Sequence, residues 1–344
     1  MCQFIPNYIT KHILKNAPIN IKNNFTASLL SHKNKVVNNI VGIKNTKQSN
    51  SINRSIFNAE NEYALPGTLA RKENDPKVNN KEVDDAYDFS GLTYSFFKQT
   101  FNRNSIDDKG MELISTVKYG EKYPNAYYNG RQIVLGDGDG EIFNSFVLLD
   151  IIAHEWSHGT TNHTADLDYF SQSGALNESF SDIFGVCVRH KLLNQEAKKA
   201  SWVIGEGIFT PEIKGKGIRD MKNPGTAFDD VLIGKDRQPS TMKDYYYGDD
   251  DNQGVHINSS IPNKIFANFA INIGGYSFDK SAKIWYEVLT TKLNSSSNFQ
   301  DMVNGLQDIV IENYGVGIEL KALREACRSV GLFPRPTIFK QIGF

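Results

Sequence analysis

Three features are scarce in this sequence, and each scarcity excludes a class of protein. Its 344 residues include only three cysteines, Cys2, Cys187 and Cys327, and an odd, low count argues against a disulfide framework. No apolar run reaches the ~18 residues of a transmembrane helix, so we predict no membrane span. The formal net charge is -1, so the chain has no net positive charge with which to attract nucleic acid.

The remaining composition is that of an ordinary globular protein. Hydrophobic residues make up 40% of the chain and charged residues 22%, which is enough for two domains with cores of their own. Cys187 and Cys327 fall in helix-like segments, where we predict buried thiols. We expect the protein to be a monomer.

A pair of histidines four residues apart carries the strongest chemical signal. His154, Glu155 and His158 stand in the pentapeptide HEWSH, among apolar neighbours. At roughly 100° per residue, four residues bring both histidines to one helix face, about 6 Å apart along the axis, so both can bind one ion. Catalytic zinc has three protein ligands and one open position, and it lowers the pKa of a bound water towards ~7. Glu155 would accept the proton of that water and pass it to the leaving group.

A second helix supplies the missing ligand. Glu178 follows in the segment NESFSD, and Asp182 lies one turn beyond it on the same face. We interpret Glu178 as the third metal ligand. Asn177 and Asp182 are candidates for holding the two histidines in place, since metal-bound histidines usually donate their other N–H to a carbonyl or carboxylate.

Simpler explanations exist for both segments. The bare HExxH pattern occurs by chance on ordinary helices, and Glu178 and Asp182 could belong to a solvated acidic face. The apolar neighbours Phe180, Ile183 and Phe184 favour a buried helix instead. Together the two segments indicate a zinc hydrolase.

The spacing of these motifs resembles the thermolysin family of zinc endopeptidases. The similarity runs from about residue 55 to the C-terminus, and the chain as a whole is most similar to the protealysin branch, whose members carry a short N-terminal propeptide. The segments that carry the resemblance are HEWSH at 154–158, NESFSD at 177–182, NAYYNG at 125–130, GDGDG at 136–140, WVIGEG at 202–207, GIRDM at 217–221 and DNQGVHINS at 251–259.

The resemblance implies further catalytic roles. His256 matches the histidine that stabilises the oxyanion of the tetrahedral intermediate, and Asp251 matches the carboxylate that orients it. Tyr169 matches a tyrosine that also hydrogen-bonds the oxyanion. Positioned donors at this point can contribute several kcal/mol to lowering the barrier.

The resemblance also implies how substrate binds. Asn125 and Ala126 match edge-strand residues that pair with the substrate backbone, and Arg219 matches the arginine that holds the carbonyl on the leaving-group side. Such main-chain pairing binds a peptide without reading its sequence. An apolar pocket for the residue after the scissile bond predicts cleavage before Leu, Ile, Val or Phe. Its wall is expected at Ile151, Ile204, Ile208 and Ile218.

The N-terminus is predicted to be a propeptide that inhibits the enzyme intramolecularly. Residues 1–54 contain short apolar pieces among Asn, Lys and Ser, which indicates one or two helices followed by a cleavable linker. Pro6 and Tyr8 belong to a segment resembling the aromatic-proline motif of protealysin propeptides, although Asn7 stands where that motif has a second proline. A disordered tail is the alternative. A role for Cys2 as a zinc ligand in the latent form is disfavoured, and cleavage is expected between about residues 43 and 55.

The expected fold is α+β and thermolysin-like, with two lobes and the zinc helix at the floor of the cleft between them. We place the propeptide and linker at 1–54, a β-rich N-terminal catalytic lobe including the zinc helix at 55–169, and a mainly helical C-terminal lobe at 170–344. Helices are predicted from the apolar spacing over about 148–162, 174–192, 259–273, 279–293, 298–313 and 318–330.

Calcium binding is expected to be weak or absent. Asp150 matches a calcium carboxylate of the family, but Arg189 and Ser201 stand where acidic ligands are expected, and Lys216 replaces an aspartate of a later site. Calcium needs 6–8 oxygen ligands, and a cation among them opposes it. We predict that Arg189 partly replaces the ion by pairing with Asp150 or Glu206, and that GDGDG is a tight turn.

Three functions remain open at this stage. The favoured one is a neutral endopeptidase made as a self-processing zymogen, with proteins or peptides as substrates and one catalytic zinc. A zinc-bound pseudoenzyme would be expected to lack Glu155 or His256, and both are present. An aminopeptidase would need an acidic pocket for a free amine, for which no motif appears. The N-terminus lacks a continuous apolar signal segment, which is compatible with a cytoplasmic protein or with export by a non-classical route.

Overall fold

Two helices at the N-terminal end of the described residues pack on the rest of the chain. The computed structural model describes residues 3–36 and 51–336. Pro6 lies directly before α1 (Asn7–Asn16), which buries Tyr8, Ile9 and Ile13 at helical spacing. α2 (Ile19–Val36) follows. These are the helices expected from the sequence, whereas most of the segment in which cleavage was expected lies outside the described residues.

A five-stranded mixed sheet forms the framework of the N-terminal lobe. Its order is β2-β1-β3-β5-β4, with β1 parallel to β3, β3 parallel to β5, and antiparallel strands at both edges. Because β4 is an edge strand, its outer backbone groups are available for pairing with another segment. The strands are β1 (Arg54–Asn58), β2 (Thr68–Lys72), β3 (Leu113–Val117), β4 (Ala126–Tyr128) and β5 (Ile133–Leu135).

A long helix in this lobe corrects the sequence reading, which gave only strands and turns between about 55 and 147. α3 (Lys81–Phe101) begins after Asn80, whose side chain accepts a hydrogen bond from the Val83 N–H, and ends at Asn102 in the left-handed conformation. The composition of α3 gives only a weak helix signal, because Gly91 and several aromatic residues have low helix propensity. A Cβ at Gly91 would lie 2.3 Å from Arg54 Nη1, so a larger residue there would displace the end of the arginine side chain.

The two central helices lie in close contact. α4 (Leu149–Asn162) and α5 (Ser171–Leu192) are buried along most of their lengths. Gly185 permits the approach, because a Cβ at that position would lie 2.7 Å from the Asp150 carbonyl oxygen. This contact brings the HEWSH and NESFSD segments face to face.

The C-terminal lobe is mainly helical, as expected. Two small antiparallel sheets of two strands each precede these helices: β6 (Val203–Ile204) with β7 (Arg219–Asp220), and β8 (Asp229–Asp230) with β9 (Gly234–Lys235). The helices are α6 (Asp250–Asn258), α7 (Ser260–Ile273), α8 (Ala282–Thr291), α9 (Phe299–Tyr314) and α10 (Ile318–Ser329). The last four lie within a few residues of predicted helices. α6 was not predicted, and its residues 251–254 form a left-handed turn rather than a regular helix.

The cysteines behave as expected where they can be seen. Cys187 and Cys327 are free, buried thiols, and burial raises the pKa of the Cys327 thiol to about 12. Cys2 lies outside the described residues. Within residues 3–36 and 51–336, no helix is long and apolar enough to cross a membrane.

Candidate active site

Three side chains from α4 and α5 converge on one point. The Nε2 atoms of His154 and His158 are 3.0 Å apart. Glu178 places Oε2 3.5 Å from His154 Nε2 and Oε1 3.6 Å from His158 Nε2. All three side chains are buried, and they form the one group of His, Cys, Asp or Glu residues in the described part of the chain that could hold a metal ion. The predicted ligand set is therefore brought together.

An oxygen atom lies against the outer nitrogen of each histidine. Asp182 Oδ1 lies 2.9 Å from His154 Nδ1, and Asn177 Oδ1 lies 2.8 Å from His158 Nδ1. Asn177 donates its amide to the Leu167 carbonyl at 3.2 Å, which turns its oxygen towards His158. We therefore assign the ring protons to Nδ1 and lone pairs to both Nε2 atoms. Two lone pairs and a carboxylate converging in buried space suit zinc, with a fourth position left open.

The charges around this cluster are also those of a cation site. Burial lowers the pKa of His158 to about 4, so its ring is neutral. Burial by itself raises the pKa of Glu178, but His256 and His158 outweigh it and bring that pKa to about 2. Burial likewise opposes ionisation of Asp182, yet Arg219 holds the pKa of that carboxyl well below its usual range. Neutral imidazole beside ionised carboxylate is the state that binds a divalent metal.

Glu155 is completely buried beside the ligand residues. No side chain among the described residues hydrogen-bonds to either of its carboxylate oxygens. Burial, with a smaller effect from Glu178, raises the pKa of Glu155 well above its usual value. A nearby cation would lower that pKa again, and a carboxylate tuned in this way can exchange a proton near neutral pH.

Two further donors lie against Glu178. Tyr169 donates its hydroxyl to Glu178 Oε1 at 2.5 Å, and His256 Nε2 lies 3.2 Å from the same hydroxyl. Asp251 contacts His256 twice, at Nδ1 (2.7 Å) and at the backbone N–H (2.8 Å). Burial alone lowers the pKa of His256, but Asp251 and Glu178 raise it to about 9, so the ring is a cation at neutral pH.

Asp251 reaches His256 from an unusual stretch of backbone. The four residues 251–254 all have positive φ, between 49° and 80°, in the left-handed region that residues other than glycine enter at a cost. At Gly254 a Cβ would lie 2.7 Å from Asn258 Nδ2. The turn is therefore held by its surroundings rather than by local preference.

The cleft holds the first described residues of the chain. Phe4 donates its N–H to the Ala126 carbonyl at 2.9 Å, and its own carbonyl accepts from Arg219 Nη1 at 3.3 Å. Ile5 donates its N–H to Asn125 Oδ1 at 2.8 Å, and its carbonyl accepts from Asn125 Nδ2 at 3.5 Å. The edge strand β4 and Arg219 thus bind a peptide backbone, as the sequence reading expected of a substrate.

The Phe4 side chain is fully buried beside the metal ligands. Its ring meets the His154 ring edge-on, with centroids 5.3 Å apart, and the Phe146 ring at 6.4 Å. A Cβ on Gly205 would lie 3.5 Å from the Phe4 ring and 3.3 Å from the Ile218 side chain. Phe4 therefore fills an apolar pocket that borders one of the predicted wall residues, Ile218.

α1 continues these contacts along the C-terminal lobe. Tyr8 is buried, with Arg237 over its ring at 5.1 Å. Lys11 Nζ lies 2.5 Å from Asp250 Oδ1, next to the residue that orients His256. His12 Nε2 lies 3.2 Å from the Val231 carbonyl. The motif that contains Pro6 and Tyr8 thus covers the cleft and the loop beside it.

Comparison with known proteins decides the family. The thermolysin metallopeptidase catalytic domain matches residues 10–162, and the thermolysin metallopeptidase alpha-helical domain matches residues 165–332. This chain belongs to the thermolysin metallopeptidase family.

Individual relatives agree with that membership. Protease PrtS from Photorhabdus sp. (strain Az29) is 50% identical over 298 residues, which cover 84% of this chain and 80% of the relative. An extracellular metalloprotease from Pectobacterium carotovorum subsp. carotovorum is 43% identical over 304 residues, covering 87% and 88% of the two chains. A solved structure of the precursor of protealysin, a metalloproteinase from Serratia proteamaculans, matches with a TM-score of 0.89 and 40% identity over 96% of this chain and 100% of that chain.

Membership of the thermolysin family makes the chain a zinc-dependent metalloendopeptidase, and it confirms the two-lobed α+β fold expected from the sequence. The chemistry of the donor set agrees: two neutral imidazoles and one carboxylate are the ligand types that zinc takes in hydrolytic sites. His154, His158 and Glu178 would hold that ion.

A partly buried arginine, Arg189, stands where the family resemblance implied a calcium ligand. Arg189 forms an ion pair with Asp150 and donates to the carbonyls of Ser201 (2.9 Å) and Val203 (2.6 Å). The Gly205 N–H donates to the same Asp150 carboxylate at 3.0 Å. Of the two predicted partners Asp150 is the one used; the other candidate, Glu206, is exposed.

Some residues of the thermolysin-type site had no signal in the sequence. Asn263 donates to Asp182 Oδ2 at 2.8 Å, and the carboxylate also accepts two hydrogen bonds from Arg219 at 2.8 Å each. Asn263 and Arg219 are far from Asp182 along the chain, so no spacing rule connects them.

The other three predicted wall residues of the pocket, Ile151, Ile204 and Ile208, are fully buried.

Proposed function

We propose that this member of the thermolysin family is a zinc-dependent neutral endopeptidase, made as a zymogen that removes its own N-terminal segment. The observation that carries the proposal is the placement of Glu155, a buried base with a raised pKa, beside a three-ligand metal cluster in a cleft whose edge strand binds a peptide backbone. The joint presence of Glu155 and His256 argues against a pseudoenzyme.

The residues divide the chemistry between them. Zinc, when bound, lowers the pKa of water and polarises a carbonyl. Glu155 accepts the proton of the attacking water and returns it to the leaving nitrogen. His256, cationic because of Asp251, and Tyr169 donate hydrogen bonds to the oxygen on which negative charge develops. Both donors now contact Glu178, so a bound substrate carbonyl would replace that contact.

The pocket that holds Phe4 explains the proposed preference. It is apolar and closed, with Ile218 and Gly205 against the ring, and burying a large apolar side chain contributes about 1.5–3 kcal/mol. We propose cleavage before Leu, Ile, Val or Phe. Charged side chains would lose their hydration there without gaining a partner.

The N-terminal segment is proposed to be the intramolecular inhibitor. It occupies the backbone sites at Asn125, Ala126 and Arg219, so no other peptide can reach them while α1 is docked. The boundaries at residues 54 and 169, the compartment and the monomeric state stay predictions.

We further propose that Arg189 substitutes for a structural calcium ion. Its guanidinium supplies positive charge to Asp150 and to the carbonyls of Ser201 and Val203, which are oxygen atoms of the kind calcium prefers. Tight calcium binding to metal-stripped protein, measured by calorimetry, would contradict this.

The first test is the intact mass of purified, zinc-supplied protein over time, with wild type beside Glu155→Gln. We expect the wild type to lose the segment before about residues 43–55 and the variant to stay whole. Zinc content, measured on both, should be equal. If both proteins stay whole, trimming by an added protease followed by a peptide assay decides whether the enzyme is active. Peptides with Leu or Asp after the scissile bond then test the pocket.

A further inference from the structure

Phe4 and Ile5 are bound with a definite direction. Reading along the chain, the Phe4 N–H meets Ala126, the Phe4 carbonyl meets Arg219, and the Ile5 N–H meets Asn125. Under the proposed function, on which this inference rests, Arg219 binds the carbonyl on the leaving-group side. Phe4 then occupies the position of the substrate residue that directly follows the scissile bond.

The side chain agrees with this direction. Phe4 is 0% exposed, and its ring fills the apolar pocket beside Ile218 and Gly205. Phenylalanine is one of the four residue types expected in that pocket. Backbone and side chain therefore both match a productively oriented peptide.

The peptide bond before Phe4 is consequently the bond that is positioned for hydrolysis in the active site. The Gln3 carbonyl carbon is bonded to the Phe4 nitrogen, about 1.3 Å away, and that nitrogen is fixed by Ala126 on the edge strand. The Phe4 ring touches the ring of the metal ligand His154. On the other side of the bond, the Gln3 side chain donates to the Tyr123 hydroxyl at 3.3 Å, so both flanking residues are anchored.

We propose that the Gln3–Phe4 bond is a substrate of the enzyme's own active site and is cut before the linker. The water oxygen adds to the Gln3 carbonyl carbon while Glu155 accepts a water proton. The bond between that carbon and the Phe4 nitrogen then breaks, and the proton passes from Glu155 to the nitrogen. One water is consumed, and the products are a carboxylate on Gln3 and an amine on Phe4.

This cut does not release the inhibitor. The Phe4 amine keeps hydrogens with which to donate to Ala126, and the Phe4 carbonyl keeps Arg219. Ile9 and Ile13 on α1 stay buried, and Lys11 stays paired with Asp250. The chain that begins at Phe4 would thus be a tethered product, and we expect it to remain latent until the linker is cleaved.

The experiment follows the N-terminus of the full chain by intact mass and by labelling of free α-amines from the moment zinc is supplied. In wild type we expect chains beginning at Phe4 before any linker product appears. Glu155→Gln should retain residue 3. Phe4→Leu should still be cut at this bond, whereas Phe4→Gly, with nothing to fill the pocket, should be cut at least tenfold more slowly.

A second readout does not depend on activity. In metal-free Glu155→Gln protein, hydrogen exchange should show protected amides at Phe4 and Ile5, and Phe4→Gly in that background should remove the protection. A wild type that cuts its linker, or cuts peptides after trimming, while all released N-terminal fragments extend past Gln3 would overturn this inference and leave the proposed function standing. Absence of all hydrolysis, even after trimming, would overturn both.

Discussion

Asp182 joins two parts of the site that have different tasks. One oxygen lies against the outer nitrogen of the metal ligand His154, and the carboxylate is also paired with Arg219, which holds the Phe4 carbonyl. The metal side and the peptide-binding side therefore share one buried negative charge.

Replacing Asp182 with Asn should disturb both sides at once. We expect zinc affinity to fall about 10–100-fold, as for other partners of metal-bound histidines. The unfolding free energy should fall by about 3–5 kcal/mol, because Arg219 is left buried without its counter-ion. Competition with a chelator and urea unfolding measure the two effects. Asp308→Asn, which breaks an exposed pair with Arg335, is the control and should cost less than about 1 kcal/mol.

His190 makes stability depend on acid. It is buried, with Nδ1 2.8 Å from Ser277 Oγ and Nε2 2.8 Å from the Ser201 carbonyl, and burial lowers its pKa to about 4. Between about pH 6.5 and 4, His190 is protonated in the unfolded chain but stays neutral in the folded chain. The contribution of His190 to the unfolding free energy is therefore fully present above pH 6.5 and is lost as pH falls towards 4, by up to about 3 kcal/mol.

The check is urea unfolding of the metal-free protein across pH 4–7 for wild type and His190→Gln. The glutamine variant lacks this ionisation, so the stability difference between the two should shrink as pH falls. Parallel curves over the whole range would refute the assignment.

At the residue scale, the sequence predicted what local geometry determines. His154 and His158 were found because their four-residue spacing places them on one helix face, and Glu178 was found as an acidic residue on a second helix with apolar neighbours. The roles of Asn125, Ala126 and Arg219 came from family resemblance rather than from spacing. Asn263 was missed, because only the packing of α7 against α5 brings it to Asp182.

At the element scale, α3 shows how packing overrides composition. Gly91 and the aromatic residues of this helix gave a weak propensity signal, although its apolar residues recur at helical spacing. The glycine leaves room for the Arg54 guanidinium of the neighbouring strand, a contact that no local rule anticipates. By contrast, α7 to α10 in the C-terminal lobe carry strong periodicity, and their positions were predicted to within a few residues, whereas α6, which contains the left-handed turn, was missed.

The left-handed turn at 251–254 should be sensitive to added bulk. Gly254→Ala introduces a Cβ 2.7 Å from both Asn258 Nδ2 and Tyr246 Cδ1, whereas Gly140→Ala, at a similar positive φ, meets nothing within 4 Å. Both substitutions carry backbone strain of about 1–2 kcal/mol. We expect only Gly254→Ala to lower kcat as well, by displacing Asp251 and hence His256. Equal kcat values for the two variants would contradict this.

Arg189 gives a second prediction at this scale. Arg189→Met leaves Asp150 buried without its counter-ion, so the unfolding free energy should fall by about 3–5 kcal/mol. Added calcium should leave the Tm of the wild type unchanged. Lys199→Met, which removes an exposed partner of Glu196, serves as the control. A calcium-dependent rise in the wild-type Tm would show that the arginine does not replace the ion.

At the scale of the whole molecule, the N-terminal segment covers the site with two layers of contacts, which under the proposed function keep the enzyme latent. The backbone sites at β4 and Arg219 hold Phe4 and Ile5, and α1 packs Tyr8, Ile9 and Ile13 against the catalytic lobes. Neither layer alone covers both the pocket and the loop that carries Asp251. The sequence predicted that this segment blocks the cleft, but it could not predict which residue enters the pocket, since that depends on where β4 meets the chain.

The link between α2 and β1 also sets how the inhibitor behaves once cut. Under the proposed function, the attached segment has an effective concentration at the cleft on the order of millimolar, so even modest affinity would keep the enzyme inactive however dilute the solution. Cleavage of the linker turns the same contacts into an ordinary two-body equilibrium. The specific activity of the nicked protein should therefore rise on dilution and fall on concentration, whereas that of the uncut protein should not change. Specific activity measured across a thousandfold dilution series would reveal the difference.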